Sequence, residues 1–439
     1  MENVKIELQT FTQGGSAMLA SELLKQFKEG KLIALLKTLY IEHIDYQVAR
    51  YSEALESYID YFGDKDVSIF SVPGKCEIGG NNTDHQHGQV LATATHLDSI
   101  AIVSKKERQV KVIYNQLNIN EIDTESLAYN EAKTGTLESL ITGVLYGLKE
   151  HGYQVGGYEA YIQSDIPRNV GLGSSANIEI MIATMINYLY NNGTIDEMAM
   201  IQIGRFANNE FYGKPSGLMN ECVCCLGGFM KIDFKDLNKP EIKQLDIDLS
   251  NSGYALCVIN SNASRSDFYT EYNTIPEEMT KVAHYFKKDV LREVNYEDFM
   301  KNYRLVRARV GDRAALRALH FFKEEERVMK QEKALEEGDF KTFLKYVKES
   351  GESSFKCQQN VYPSNDPMHQ NMGTALVLTE CFLNGDGMTK INGGGFSGTI
   401  LTLIKKDRLE DYKAYMDKVF GKAPCFVIHT RKQGAIKVL

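Results

Sequence analysis

A short stretch rich in glycine and serine has the residue types that bind a phosphate group, namely Gly171, Leu172, Gly173, Ser174, Ser175 and Ala176. Glycines let the backbone approach an anion closely, and serine hydroxyls at a helix start add donors beside unpaired backbone N–H groups. The residues from Tyr158 to Ile166 alternate as in a β-strand, and those after Ala176 recur at helical spacing. The sequence therefore predicts a strand, a glycine turn and a helix whose N-terminus could hold phosphates. An ordinary turn with a serine cap would give the same local pattern.

Two other nucleotide-binding motifs fit the chain less well. A Walker A loop requires Gly-x4-Gly-Lys-Ser/Thr, which the sequence does not contain. The relaxed dinucleotide pattern Gly-x-Gly-x-x-Ala matches residues 171–176. However, the acidic residue expected about 20 residues later falls at Asp196 or Glu197, where a helix begins. Dinucleotide binding is therefore the weaker alternative.

Size and composition narrow the class of protein. A chain of 439 residues is too long for one compact core, so two domains are expected. Its 43% hydrophobic and 25% charged content is typical of a globular protein, and its net charge of −8 argues against a nucleic-acid partner. The N-terminus lacks the apolar core of a signal peptide, and no apolar run approaches bilayer length. We therefore expect a cytoplasmic protein without a membrane partner.

The eight cysteines favour a reducing compartment over a disulfide framework. Cys222, Cys224 and Cys225 form a cluster, but no second cysteine pair or His-x-His group lies at metal-ligand spacing. We expect these three side chains to be buried rather than to bind a metal.

The first half of the chain predicts the elements that would position the phosphate-binding stretch. Residues 1–45 predict a helical extension with an apolar leucine stripe, and residues 46–250 a first domain. In that domain a short strand at 67–72 precedes a polar, glycine-bearing segment at 75–88, which suits either a site-forming loop or a solvated connection. Pro215 and Gly217 mark a break before another element.

The second half predicts a second domain over residues 251–439. It begins with an apolar strand at 254–259 and continues with helices over about 276–350. Three consecutive glycines, Gly393, Gly394 and Gly395, precede a strand at 399–404. Glycines in this setting indicate a tight bend or the close approach of another group.

Four segments in order resemble the signature motifs of the galactokinase branch of the GHMP small-molecule kinases. Residues 73–84 resemble the family's Pro-Gly-Arg-Val-Asn-Leu-Ile-Gly-Glu-His-Thr-Asp, and residues 167–176 match its Pro-x3-Gly-Leu-Gly-Ser-Ser-Ala phosphate loop. Residues 213–221 resemble Gly-x-Pro-x-Gly-Ile-Met-Asp-Gln, and residues 393–398 resemble Gly-Gly-Gly-Phe-Gly-Gly. The resemblance runs from about residue 46 to the C-terminus.

This resemblance implies a two-domain α+β GHMP kinase fold. The N-terminal α/β domain would resemble the second domain of ribosomal protein S5, and the C-terminal domain would be ferredoxin-like. The implied reaction transfers the γ-phosphoryl group of ATP to the anomeric hydroxyl of galactose or a related sugar, with Mg²⁺ as cofactor. ATP would be bound by residues 171–176 with Gly394 and Gly395, Mg²⁺ by Ser175 and Asn208, and the sugar by Asn81, Asn82, Asp84 and His85.

The chain departs from the family where the chemistry takes place. Of the two positions assigned to catalysis, Asn220 replaces the catalytic Asp, and Lys75 replaces an Arg, keeping the charge but losing the bidentate fork. Asn208 replaces a Mg²⁺-binding Glu, and Asn81-Asn82 replace a Glu-His pair.

The nearby acidic residues are poor substitutes for the lost carboxylates. Glu210 is offset by two residues from Asn208, which on a helix points to nearly the opposite face, and Glu221 is offset by one from Asn220, a turn of about 100°. A general base contributes about 10²–10⁴-fold, and phosphoryl transfer depends mostly on positioning and electrostatics. Two functions therefore stay open: a working sugar kinase with an altered site, or a catalytically weak relative that binds ATP and sugar as a sensor or regulator.

Overall fold

The computed structural model describes residues 18–168, 170–214, 216–247, 249–262, 269–363, 366–396, 398–422 and 424–439. Residues 1–17 of the predicted extension lie outside the described residues, as do Pro215 at the predicted break and Asn169 and Ser397 of the glycine-rich segments.

The described residues form two sheets and their covering helices. The strands, in chain order, are β1 Met18–Leu19, β2 Asp66–Gly79, β3 Gln89–Lys106, β4 Gln109–Tyr114, β5 Leu117–Asn118, β6 Ile122–Asp123, β7 Gly157–Ser164, β8 Phe229–Asp233, β9 Glu241–Leu245, β10 Tyr254–Asn260, β11 Gly387–Ile391, β12 Thr399–Lys405, β13 Cys425–Ile428 and β14 Ile436–Lys437. The α-helices are α1 Ala20–Lys28, α2 Ile33–Leu39, α3 Ile44–Phe62, α4 Leu137–Glu150, α5 Ser174–Tyr190, α6 Glu197–Phe206, α7 Met219–Leu226, α8 Tyr269–Tyr285, α9 Tyr296–Val310, α10 Asp312–Glu336, α11 Phe340–Ser353, α12 Asn371–Leu383 and α13 Leu409–Phe420.

The larger sheet has the strand order β1-β2-β3-β7-β4-β5, with β6 on β4, β8 on β3, β9 on β8 and β14 on β2. Strands β4 and β7 run parallel, and the other pairs in this sheet are antiparallel. The long strands β2 and β3 form its centre and lead into the turn that carries the predicted sugar-binding residues.

Both faces of the larger sheet are buried, which accounts for its β-branched strands. Along β2, Val67 and Ile69 pack against α1 to α3, whereas Phe70 and Val72 point the opposite way into the cluster formed with α4 to α7. Successive side chains of a strand alternate between faces, so one strand serves two cores. The predicted leucine stripe of the extension is confirmed, because its members are buried in the first of these cores: Leu32, Leu35, Leu36 and Leu39.

The smaller sheet is antiparallel, with the order β11-β12-β10-β13. One face packs under α12 and α13, and the other, through Leu256 and Val258, packs against Cys76 and Ile78 of β2. The molecule is therefore the mixed α/β, two-sheet fold that the resemblance implies. The boundaries at 45/46 and 250/251 stay predictions. The second of them falls between β9 and β10, while β14 returns to the larger sheet.

The segment predicted as a polar loop at 75–88 needs a correction at its start. Strand β2 continues through Gly79, because residues 75–79 pair with β3 across a β-bulge. Only residues 80–88 form the turn. A bulge adds a residue to one strand and changes the direction of the side chains that follow it.

The cysteine cluster is buried in the core under the larger sheet, as expected for Cys222, Cys224 and Cys225. None of the helices in the described parts of the chain has the length and apolar character needed to cross a membrane.

Candidate active site

A cleft of about 570 Å³ lies where the two sheets meet. It is bounded by the end of β2, the turn at 80–88, the start of α5, the start of α7 and the loop after β11. Most of the predicted site residues line it: Lys75, Asn82, Asp84, His85, Gly171, Gly173, Ser174, Ser175, Ala176, Asn208, Asn220, Gly394 and Gly395. Segments distant in sequence are thus brought together in one concave surface.

Two predicted site residues, Leu172 and Asn81, do not line the cleft. The Leu172 side chain is buried in the core between the sheets, and its carbonyl accepts a hydrogen bond from the Lys75 backbone N–H at 3.0 Å. Asn81 is fully buried, and its Nδ2 donates to the Gly393 carbonyl at 2.6 Å. Both residues hold the cleft walls in place, which differs from the ligand contacts predicted for them.

The phosphate-binding stretch has the geometry expected of an anion site. Gly171 and Gly173 have φ of +75° and +79°, in the left-handed region that glycine adopts without strain. Gly173 must also lack a side chain, because a Cβ there would lie 2.7 Å from Cγ of Lys75. Helix α5 begins at Ser174 without a side-chain cap, and its positive end faces the cleft because Gly173, Ser174 and Ser175 line it. The smaller sheet anchors this loop, because Nδ2 of Asn392 donates to the Val170 carbonyl at 2.8 Å.

Asn208 and Asn220 each present a buried amide oxygen that has no hydrogen-bond partner among the described residues. Asn208 lies in a π-helical turn after α6, and its Nδ2 donates to Oγ of Ser216 at 3.1 Å. Asn220 is the second residue of α7. A buried polar atom without a partner is costly, so each oxygen is suited to a ligand that supplies a cation or a donor.

The residues present fit a Mg²⁺ ion that is shared with bound phosphates. Within the described ranges no group of three or more His, Cys, Asp and Glu side chains could hold a metal ion by itself. Mg²⁺ prefers oxygen ligands and is usually held by one or two side chains together with substrate phosphates. The hydroxyl of Ser175 at the phosphate loop and Oδ1 of Asn208 supply such oxygens in the cleft.

The turn at 80–88 presents Asp84 and His85 to the cleft, and its asparagines bind the loop that follows β11 of the smaller sheet. Nδ2 of Asn82 donates to the Gly394 carbonyl at 3.0 Å and to Oε1 of Gln358 at 2.7 Å. Oδ1 of Asp84 accepts a hydrogen bond from the His85 N–H at 3.0 Å. Gly217 faces this carboxylate so closely that a Cβ there would lie 2.0 Å from Oδ2 of Asp84. Glycine at 217 therefore makes room for Asp84.

The cleft contains one carboxylate that no sequence motif indicated. Glu77 lies two residues after Lys75 on β2, and both side chains line the cleft. Glu77 is 4% exposed, and its Oε1 has no hydrogen-bond partner in the part of the chain that the structure describes. Burial raises the pKa of Glu77 to about 7. The period-two alternation of strands could have placed Glu77 beside Lys75, had β2 been predicted to extend past residue 72.

Neither acidic neighbour of the asparagines reaches the cleft. Glu210 is exposed. Glu221, on α7, is fully buried beside Glu179 of α5. All four carboxylate oxygens of Glu179 and Glu221 lack a donor from the described residues. Burial raises the pKa of both side chains, that of Glu221 to about 7, so the pair is stable when it shares a proton. The structure thus agrees with the expectation that neither Glu210 nor Glu221 brings a carboxylate to the cleft beside Asn208 and Asn220.

Apolar and aromatic side chains form the end of the cleft beyond the phosphate loop. Tyr114, Leu137, Leu140 and Tyr212 line this end, and the guanidinium of Arg168 lies 5.2 Å from the centre of the Tyr114 ring. A partly apolar pocket lined by aromatic rings suits a planar heterocycle next to a phosphate site. These residues were not predictable from the sequence, because no local motif marks them.

Comparisons with known proteins agree with this geometry. The family described as GHMP kinases N terminal domain matches residues 139–228, and the galactokinase galactose-binding signature matches residues 56–105. A galactokinase of Clostridium tetani is 26% identical over 396 residues, covering 88% of this chain and 97% of its own length. A galactokinase of Ligilactobacillus salivarius is 27% identical over 389 residues, covering 85% and 96%.

Solved structures show the same fold. A Lactococcus lactis galactokinase complexed with galactose has a TM-score of 0.75 at 21% identity, over 87% of this chain and 98% of that one. A mevalonate kinase has a TM-score of 0.59 at 14% identity, over 83% and 99%. The fold and the order of its loops are those of a GHMP kinase. The chain carries matches to a GHMP kinase domain and to a galactokinase galactose-binding signature, and it is similar to galactokinases over most of its length.

Proposed function

We propose that this protein is an ATP-dependent sugar kinase that phosphorylates the anomeric hydroxyl of galactose or a closely related sugar. The observation that carries the proposal is the arrangement of one cleft, in which the phosphate loop at the start of α5 faces the turn that bears Asp84. A nucleoside triphosphate and a polyhydroxylated acceptor could bind there side by side.

The phosphate loop and its surroundings would bind ATP. Backbone N–H groups at the N-terminus of α5, with the hydroxyls of Ser174 and Ser175, would hold the β- and γ-phosphates. Lys75 faces Gly173 and supplies a positive charge next to the transferring group. Ser175 and Asn208 would hold Mg²⁺, which neutralises phosphate charge when it is bound.

The opposite wall of the cleft would bind the sugar. The carboxylate of Asp84 can accept hydrogen bonds from two hydroxyls, and His85 lies beside it. Nδ2 of Asn82 already donates to two protein groups, so its role is to fix the turn against Gly394 rather than to replace a charged sugar contact. A sugar bound to Asp84 would lie within the same cleft as Lys75 and Asn220.

The direct test is a coupled ATPase-type assay with purified protein, Mg²⁺, ATP and a panel of hexoses that includes galactose, its epimers and its amino derivatives. We expect ADP release that depends on the sugar, with a sugar 1-phosphate as product. Calorimetric sugar binding without turnover of any panel member would replace the kinase by the sensor function. The family matches do not favour that alternative.

A further inference from the structure

Glu77 is a buried carboxylate in the cleft that has no role in the reaction as described above. Its neighbours along β2, Cys76 and Ile78, are buried in the core that joins the two sheets, so the backbone at Glu77 is held in place. The side chain lines the cleft, and Oε1 finds no donor among the described residues. A carboxylate oxygen without a partner in a polar cleft is suited to accept a proton or a hydrogen bond from a bound substrate.

Asn220 and Glu77 belong to elements that touch. Helix α7, which begins at Met219, packs against β2, and both residues line the same cleft. The motifs of the family, as written above, have Asn at the place of Glu77 and Asp at the place of Asn220. Relative to those motifs, this chain has the carboxylate on β2, at Glu77, and the amide on α7, at Asn220. The cleft therefore contains one carboxylate and one amide at these two positions, as the motifs do.

The charges around Glu77 suit a group that takes up a proton near neutral pH. Burial and the carboxylates of Asp84 and Glu324 raise its pKa, while the ammonium groups of Lys75 and Lys390 oppose them. A general base works best when its pKa lies near the operating pH. Lys75 on the same strand would also stabilise the carboxylate form during turnover.

We propose that Glu77 is the proton acceptor of the phosphoryl transfer, in the place of the carboxylate that is absent at Asn220. This inference rests on the proposed kinase function. The sugar hydroxyl oxygen forms a bond to the γ-phosphorus of ATP, and the bond between that phosphorus and the β,γ-bridging oxygen breaks. ADP leaves with the electron pair, and the hydroxyl proton moves to a carboxylate oxygen of Glu77. The amide of Asn220 hydrogen-bonds the same hydroxyl and orients it.

The test compares the isosteric variant Glu77→Gln with a matched control, Glu221→Gln. Both changes remove one buried carboxylate, but Glu221 lies outside the cleft, and Gln is the residue of the family motif there. We expect Glu77→Gln to lower kcat about 10²-fold or more, while calorimetric affinities for ATP and sugar stay within about threefold. The control should keep kcat within about threefold of the wild type.

The pH profile of kcat and the Mg²⁺ dependence of the rate show whether Glu77 acts as a base or has a structural or metal-binding role. The wild-type kcat should fall below pH 7 with a single ionisation, and this dependence should vanish in Glu77→Gln. The Mg²⁺ concentration for half-maximal rate should not change. A raised Mg²⁺ requirement, or a wild-type rate that is constant between pH 6 and 8, would overturn the inference.

An exchange variant covers the case in which Glu77→Gln does not fold. Glu77→Asn should lose activity, and Glu77→Asn combined with Asn220→Asp should regain it to within about tenfold of the wild type. Equal activity of Glu77→Asn and the wild type would reject Glu77 while leaving the kinase function intact. Absence of turnover in the wild type with every sugar would reject both.

Discussion

Glu179 and Glu221 lie side by side in the interior, and neither carboxylate receives a hydrogen bond from the described residues as long as both are ionised. Because burial and their mutual repulsion favour the protonated form, one proton bound between them relieves the conflict. Helix α7 carries one member and α5 the other. The protonation state of this pair therefore bears on how the two helices pack.

Because Glu179 and Glu221 favour a shared proton, we expect the stability of the folded protein to decline as the pH rises. The pKa of Glu221 is raised in the folded state to about 7 from its ordinary 4.5, so folding favours the protonated form, and stability is lost between these pH values. Glu221→Gln removes the ionisation and leaves a donor for Glu179. We expect the variant to melt higher than the wild type at pH 8, by on the order of 2 °C, with a smaller difference at pH 5. Calorimetric melting at both pH values checks this, and an equal shift at both would contradict it.

A second prediction concerns Asp98, which is fully buried between two guanidinium groups. Its Oδ1 accepts from Arg50 at 2.7 Å, and its Oδ2 accepts from Arg431 at 2.8 Å and from Tyr40 at 2.7 Å. Asp98→Asn would leave Arg50 with only the Asp165 carboxylate at 3.2 Å, and Arg431 with no ion-pair partner among the described residues. It should destabilise the fold by about 3–5 kcal/mol. Chemical denaturation measures the loss.

The control for Asp98 is an aspartate in an exposed ion pair, Asp123, which binds Arg108 at the surface. Asp123→Asn should change the denaturation midpoint little, because solvent screens exposed pairs. The pH dependence gives a second check. Burial alone would raise the pKa of Asp98, but Arg50 and Arg431 outweigh it and hold the pKa below its usual value. Its contribution is therefore present above the unfolded-state pKa and is lost as the pH falls.

Ser175→Ala tests the phosphate loop. Ser175 lines the cleft in the first turn of α5, and its hydroxyl is the proposed Mg²⁺ ligand. We expect kcat to fall at least about tenfold, the size of losing one well-placed interaction of about 1.4 kcal/mol, and the Mg²⁺ requirement to rise. Ser52→Ala, on α3 and outside the cleft, is the control and should keep normal kinetics. Unchanged kinetics in both variants would place the phosphates elsewhere.

Asp84→Asn tests the proposed sugar-binding side of the cleft, which is formed by the turn at 80–88. The amide keeps the oxygen that accepts the His85 N–H but loses the negative charge that strengthens bonds to sugar hydroxyls. We expect the KM for the sugar to rise about tenfold or more, while the KM for ATP stays within about twofold. Steady-state kinetics with each substrate varied in turn would show the split. An equal rise in both constants would point to a general distortion of the cleft.

Much of the site could be predicted because its residues lie in local motifs. Gly171 and Gly173 indicate a left-handed turn, and the serines after them indicate the start of a helix. Asp84 ends a motif of fixed length. Local chemistry of this kind does not depend on long-range packing. The strands at Tyr254 and Thr399 were recognisable for the same reason, since each is a short run rich in apolar and β-branched residues.

What could not be predicted depends on contacts between distant segments. The resemblance predicts a sugar contact for Asn81, yet its amide donates to the Gly393 carbonyl in the loop after β11. Leu172 was assigned to ATP, yet its side chain fills a core that only the docking of two sheets creates. Glu77 was hidden because the bulge that carries β2 past Pro73 depends on pairing with β3. Sequence spacing gives the residue type at each position, and tertiary pairing decides where its side chain points.

Strand β2 is covered by helices on one face at Val67 and Ile69 and by a different set on the other at Phe70 and Val72. Its amide protons should therefore exchange with solvent only through global unfolding, whereas those of the turn at 80–88 should exchange through local opening. Lys75 and Glu77 extend from the slowly exchanging strand, and Asp84 from the turn that follows. We therefore expect the side chains proposed to take part in the transfer, Lys75 and Glu77, to be held rigidly, and any adjustment to different sugars to occur in the turn that carries Asp84.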